Sequence, residues 1–130
     1  MLKNTILNSQ LLKVLCQLGH TQTICVCDAG LPIPPESQII DLAFLPGYPD
    51  IYTVLSGILE CTPFEKAYFA AEDPLSNPQF VSFLKRNLDC EMIAMPHEEL
   101  KSLSHSCVAF VRTGECTPYA NVILQACTTF

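Results

Sequence analysis

The chain has 130 residues, about the size of one domain, with 49% hydrophobic and 15% charged residues. That apolar content excludes a disordered chain, and the small charged fraction suggests surface buried against other copies. A net charge of −6 argues against nucleic acid or anionic lipid as a partner, and no run is long and apolar enough to span a bilayer.

Asn8 suits the N-cap of a helix through Leu11, Leu12, Val14, Leu15 and Leu18, which Gly19 would end. His20 follows directly, where a helix C-terminus favours positive charge. Thr23–Cys27 is a β-branched apolar run and predicts a buried strand ending at Asp28. The stiff loop Ala29-Gly30-Leu31-Pro32-Ile33-Pro34-Pro35 comes next. A strand is expected over Ile39–Phe44, a turn at Pro46-Gly47, and a helix over Tyr48–Leu59. Lys66–Ala71 predicts a strand, Pro74 and Pro78 break the chain, and Phe80–Leu88 predicts a helix. Then come a strand over Glu91–Met95, a helix over His97–Leu103 introduced by Pro96, and a strand over Cys107–Val111. Arg112–Tyr119 reads as a polar loop and Val122–Ala126 as a last strand. Strands thus alternate with helices. The expected fold is one α/β domain over residues 1–130, a three-layer α/β/α sandwich with a mostly parallel, or mixed, central sheet.

Eight cysteines could signal disulfides in a secreted chain. The N-terminus has no long apolar leader, so the expected setting is cytoplasmic, with free thiols acting as small hydrophobes. No C-x-x-C pair exists and the histidines complete no zinc pattern, so no metal is expected.

Polar groups collect where predicted strands end: Asp28, His97, and the set Arg112, Glu115, Tyr119 and Asn121. Ligands of open α/β sheets bind outside those strand ends. Each residue also has a plain structural use. Asp28 suits a turn cap, His97 an exposed first helical turn, and Lys101 a solvated helix face, while His20 alone reads equally as structural and His105 as surface. There is no Walker loop, no G-x-G-x-x-G and no G-x-S-x-G elbow, which leaves nucleotide and acyl-transfer chemistry unsupported. His, Asp, Tyr, Asn and Lys suit a neutral polyhydroxylated ligand, with amide and carboxylate binding hydroxyls and His moving protons.

Two segments resemble one family. Leu7-Asn8-Ser9, Leu18-Gly19-His20-Thr21 and Cys27-Asp28-Ala29-Gly30-Leu31-Pro32-Ile33-Pro34 resemble the N-terminal signature of the D-ribose pyranase family, and Val111 to Leu124 (VRTGECTPYANVIL) resembles its C-terminal signature. Ile40-Asp41-Leu42 and Pro46-Gly47-Tyr48-Pro49 fit between them. Fucose mutarotases share the Gly-His element and a similar tail but lack the D-A-G-L-P-I-P loop, which favours ribose. The resemblance implies an α/β/α fold, a homodecamer with sites near subunit contacts, and conversion of D-ribose between pyranose and furanose without a cofactor. It implies His20 as catalytic acid/base and places Asp28, His97, Lys101, Tyr119, Ala120 and Asn121 at the sugar. Alternatives are a mutarotase for another sugar or a non-catalytic sugar-binding accessory of a transporter. The resemblance weakens between Glu72 and Cys90, where no site residue is expected.

Overall fold

A computed structural model describes residues 2, 3 and 5–130. The chain order is α1 (Ser9–Gln17), β1 (Thr23–Cys27), β2 (Ile39–Asp41), α2 (Ile51–Cys61), β3 (Phe64–Ala70), α3 (Asp73–Ser76), α4 (Pro78–Asn87), β4 (Glu91–Met95), α5 (His97–Ser104), β5 (Ala109–Arg112) and β6 (Val122–Ala126). Asn8 caps α1, its side chain accepting the Leu11 amide at 2.9 Å. Helix α2 begins at Ile51 instead of Tyr48, because Tyr48 and Pro49 close a turn and Asp50 supplies the cap, accepting the Thr53 amide at 2.7 Å. The strand expected through Phe44 stops at Asp41, whose carboxylate turns back to accept the Ala43 amide. Between Glu72 and Leu88 the two prolines open two helices rather than one, with Pro at the first turn of each and Asn77 capping the second.

The six strands form one sheet in the order β2-β5-β1-β6-β3-β4. Strands β2, β5 and β1 run parallel to one another, and so do β3 and β4. Strand β6 lies between the two groups and is antiparallel to both β1 and β3, so the sheet is mixed. On one face Ile24, Val26, Val111, Val122 and Leu124 pack under α1, α2 and α4. On the other, Cys25, Cys27, Phe110 and Ile123 pack under Leu100 of α5 and Leu31 of the 28–34 loop. The alternation along β1 and β6 follows from the two-residue repeat of a strand. All eight cysteines are free. Among the described residues no helix is long and apolar enough to cross a membrane, and no three His, Cys, Asp or Glu side chains gather as a metal site.

Candidate active site

The reversed strand β6 creates two polar groups at opposite ends of the sheet. One surrounds the C-terminal end of β1. There Asp28 and Asn121 hold each other reciprocally: Asn121 Nδ2 donates to Asp28 Oδ2 at 2.8 Å, and the Asp28 amide donates to Asn121 Oδ1 at 2.9 Å. The second Asp28 oxygen accepts the Gly30 amide at 2.9 Å, which tightens the loop that follows. Asn121 is buried and immediately precedes β6, so antiparallel pairing is what sets it beside Asp28. Tyr119 sits at a φ of 57°, a left-handed conformation rare outside glycine, and its carbonyl accepts the Asn121 amide at 2.6 Å. That conformation places the Tyr119 ring edge-on to His97, with centroids 5.0 Å apart.

His97 opens α5, where Pro96 offers no side-chain cap. Glu72, just past the end of β3, does that work from another segment. Both its carboxylate oxygens accept the His97 amide, each at 3.1 Å. His97 Nδ1 is buried and without a partner among the described residues. So is Asp73, whose two oxygens make no well-formed hydrogen bond. Burial, reinforced by the charges of Glu72 and Asp28, pushes the Asp73 carboxyl up to about 7, and the nearby Ala70 amide opposes that rise.

Two clefts flank the 28–34 loop. One, of about 500 Å³, is lined by Asp28, Ala29, Gly30 and Glu115–Pro118. The other, of about 430 Å³, lies between Pro32–Pro34 and Glu98, Lys101, Ser102 and His105 of the α5 side. Both have the size of small-molecule clefts. The first carries two carboxylates, Asp28 and Glu115, with Asn121 bonded to Asp28, so it is the better match to a polyol. Lys101 faces the second, where it pairs with Glu98 at 2.6 Å. Ala120 is fully buried and serves as packing beside the site. Arg112 turns away to bind Asp41 through both its Nε and a terminal nitrogen, locking β5 to β2 and holding the Asp41 carboxyl below its usual range. Glu115 is buried and accepts the amides of Ile51, Cys116 and Thr117, bracing the loop before β6.

His20 is not in this group. It precedes β1, whereas Asp28 follows it. At about 3.3 Å per residue β1 alone spans about 13 Å, so the two cannot meet on one ligand within one copy. Asp28 therefore does not orient His20 in the chain. Glu65 does: His20 Nε2 lies 3.1 Å from Glu65 Oε2. Glu65 Oε1 accepts Gln125 Nε2 at 2.6 Å, and Gln125 Oε1 accepts the Tyr68 hydroxyl at 3.1 Å. The pairing of β3 with β6 steps from Phe64↔Ala126 to Lys66↔Gln125, which leaves Glu65 as the extra residue of a bulge and aims it at His20. The hydrogen bonds from Gln125 and then His20 hold the Glu65 carboxyl below its usual value.

Glu65, Gln125, Tyr68, Glu72 and Asp73 were not among the residues expected from sequence. Glu65 falls one residue before the strand predicted from Lys66, and only strand register exposes its partner.

The chain matches the family model described as "RbsD / FucU transport protein family" over residues 1–129. A D-ribose pyranase of Aliivibrio salmonicida is 44% identical over 135 residues, covering 97% of each chain, and a D-ribose pyranase 1 of Rubrobacter xylanophilus is 46% identical over 125 residues, covering 96% of each. The solved structure of Bacillus subtilis RbsD complexed with D-ribose matches with a TM-score of 0.96 and 44% identity over all of both chains. A fucose mutarotase from Streptococcus pneumoniae, solved with L-fucose, shares the fold at a TM-score of 0.79 and 23% identity, covering 99% of this chain and 100% of that one.

Proposed function

We propose that this chain, which belongs to the RbsD / FucU transport protein family, is a D-ribose pyranase: an isomerase that interconverts the pyranose and furanose forms of free D-ribose. The observation that carries this reading is the end-to-end match, at 44% identity and a TM-score of 0.96, to a protein solved with D-ribose. Two linked pairs at the C-terminal end of β1 support it: Asp28, which lines the cleft, is bonded to Asn121, and the His97 ring meets the Tyr119 edge, so acceptors, donors and an aromatic edge stand close together there.

Opening the pyranose breaks the bond from C1 to the ring oxygen. A proton leaves the anomeric hydroxyl, a proton arrives on the ring oxygen, and C1 becomes an aldehyde. Closing the furanose adds the C4 hydroxyl to that aldehyde; its proton leaves and one returns to the C1 oxygen. Nothing is oxidised and no bond to the protein forms, so the chemistry calls for no nicotinamide, metal or activated serine. One imidazole serves both directions because reversal exchanges acid for base, and such transfer contributes roughly 10²–10⁴-fold.

His20 carries the proton, and Asp28, His97, Tyr119 and Asn121 hold the sugar, with Ala120 forming the wall between the last two. Lys101 reaches the ligand only from the neighbouring cleft. His20 of one copy completes the Asp28 cleft of another. The working form is then a homo-oligomer with head-to-tail contacts, a decamer on the family resemblance, acting in the cytoplasm as one domain per chain.

Saturation-transfer NMR of ribose tests this. Catalytic amounts of the protein should speed exchange between pyranose and furanose signals, and His20→Ala should abolish the effect while keeping its fold and assembly. Saturable ribose binding with no faster exchange would instead mean a binding accessory. Wild-type exchange by His20→Ala would remove His20 from the mechanism.

A further inference from the structure

We infer that Glu65 is the positioning residue of His20: it holds the Nε2 proton and thereby leaves Nδ1 as the atom that exchanges protons with the sugar. This rests on the reading of His20 as the acid/base group and specifies which nitrogen acts.

The donors and acceptors around Glu65 fix the tautomer of His20. An ionised carboxylate can only accept hydrogen bonds. Glu65 Oε1 takes Gln125 Nε2 at 2.6 Å, which forces the Gln125 amide to present its nitrogen there. The amide oxygen is then free to accept the Tyr68 hydroxyl at 3.1 Å, as observed. Every member of the chain Tyr68–Gln125–Glu65 is thus fixed in one orientation. Its end is an acceptor, Glu65 Oε2, 3.1 Å from His20 Nε2. A neutral imidazole satisfies that contact only with its proton on Nε2. The depressed Glu65 carboxyl agrees, because it stays ionised at neutral pH. Nδ1 then carries the lone pair, has no partner among the described residues, and belongs to a ring that is 53% exposed.

The bulge is the structural investment behind this contact. Without the extra residue, the register of β3 against β6 would carry Glu65 to the other side of the sheet. Thr21, next to His20, adopts a φ of 69°, so the backbone on the His20 side is also held in an uncommon conformation. A carboxylate behind an imidazole is a known way to select the tautomer, and losing the correct tautomer can cost up to about 10⁴ in rate. The His20 pair is more exposed, so the expected loss here is smaller, at least about tenfold.

The experiment uses the intact assembly with ¹⁵N-labelled histidine. Long-range ¹H–¹⁵N correlations should show His20 as the Nε2–H tautomer in the wild type. Glu65→Ala should lose that preference and slow pyranose–furanose exchange at least about tenfold. Glu65→Gln keeps the side-chain volume but can donate to Nε2, so it should shift His20 toward Nδ1–H and slow exchange similarly. Gln125→Ala leaves Glu65 in place without its donor and should lie between. These two variants keep the test open if Glu65→Ala does not fold. A wild-type Nδ1–H tautomer, or Glu65 and Gln125 variants with unchanged tautomer and rate, overturns the inference. If His20→Ala is inactive in that case, the reading of His20 stands and only the role of Glu65 falls. If His20→Ala is as fast as wild type, the His20 reading falls and the role of Glu65 falls with it.

Discussion

Asp73→Asn should make stability less dependent on pH, and the size of the change follows from burial. Asp73 opens α3 with no exposed surface and no well-formed hydrogen bond. Its carboxyl is raised from 3.8 to about 7, first by burial and then by Glu72 and Asp28. The folded value lies above the unfolded one. Below the unfolded value both states hold the proton and there is no penalty. Between the two values the unfolded chain ionises while the fold keeps the proton, so stability falls as pH rises, by about 1.4 kcal/mol per pH unit. Above the folded value the loss levels off at about 4 kcal/mol. From pH 5 to pH 8 the wild type should therefore lose about 3 kcal/mol more than Asp73→Asn, which cannot ionise. Comparing the two pH values cancels the fixed cost of burying an amide. Urea unfolding of both proteins at both pH values, at one subunit concentration, measures the difference. If the two proteins change by the same amount within about 0.5 kcal/mol, the buried-acid reasoning is wrong.

A mixture tests whether one site draws on two copies. His20→Ala and Asp28→Asn should each be inactive alone, yet oligomers reassembled from equal amounts should recover about a quarter of wild-type exchange, the chance that an intact His20 meets an intact Asp28. No recovery in verified mixed oligomers would place both residues in one copy's site or remove one of them from the chemistry. Gly114→Ala should destabilise the fold by about 1–3 kcal/mol and lower activity with it. A Cβ there would lie 2.6 Å from the Tyr48 nitrogen and carbonyl carbon, pushing the loop that carries Glu115, Tyr119 and Asn121. Thermal unfolding alongside the exchange assay reads both effects, and an unchanged melting temperature would show that the backbone yields freely.

Local signals in the sequence were sufficient wherever one residue or one run decides the outcome. Asn8 caps α1 as its side chain predicts, and Thr23–Cys27, Glu91–Met95 and Val122–Ala126 are strands with the predicted ends. Element ends moved where a turn competed, as Tyr48 and Pro49 show at the start of α2. The direction of β6 was not legible, because an apolar five-residue run reads the same either way along the sheet. That one ambiguity hid most of the site geometry. It concealed that Asn121 faces Asp28 and that Gln125 faces Glu65, whereas the separation of His20 from Asp28 follows from β1 alone. The carboxylates were hard to find for a related reason. Glu65 lies near the start of β3 and Glu72 just past its end, and what each one touches depends on pairing with residues 25–60 positions away.

The reversal of β6 has a consequence for how this protein tolerates change. Asn121, the residue just before β6, and Gln125 within it have the same parity along a strand that is hydrogen-bonded on both sides. A slip of one residue would swing Gln125 away from Glu65 and Asn121 away from Asp28 at the same moment, because side chains alternate faces. The two polar groups, far apart in space, thus share a single mechanical fate. Damage to either end of β6 is inherited by the other, whereas the outer strands β2 and β4 can vary without disturbing that shared alignment.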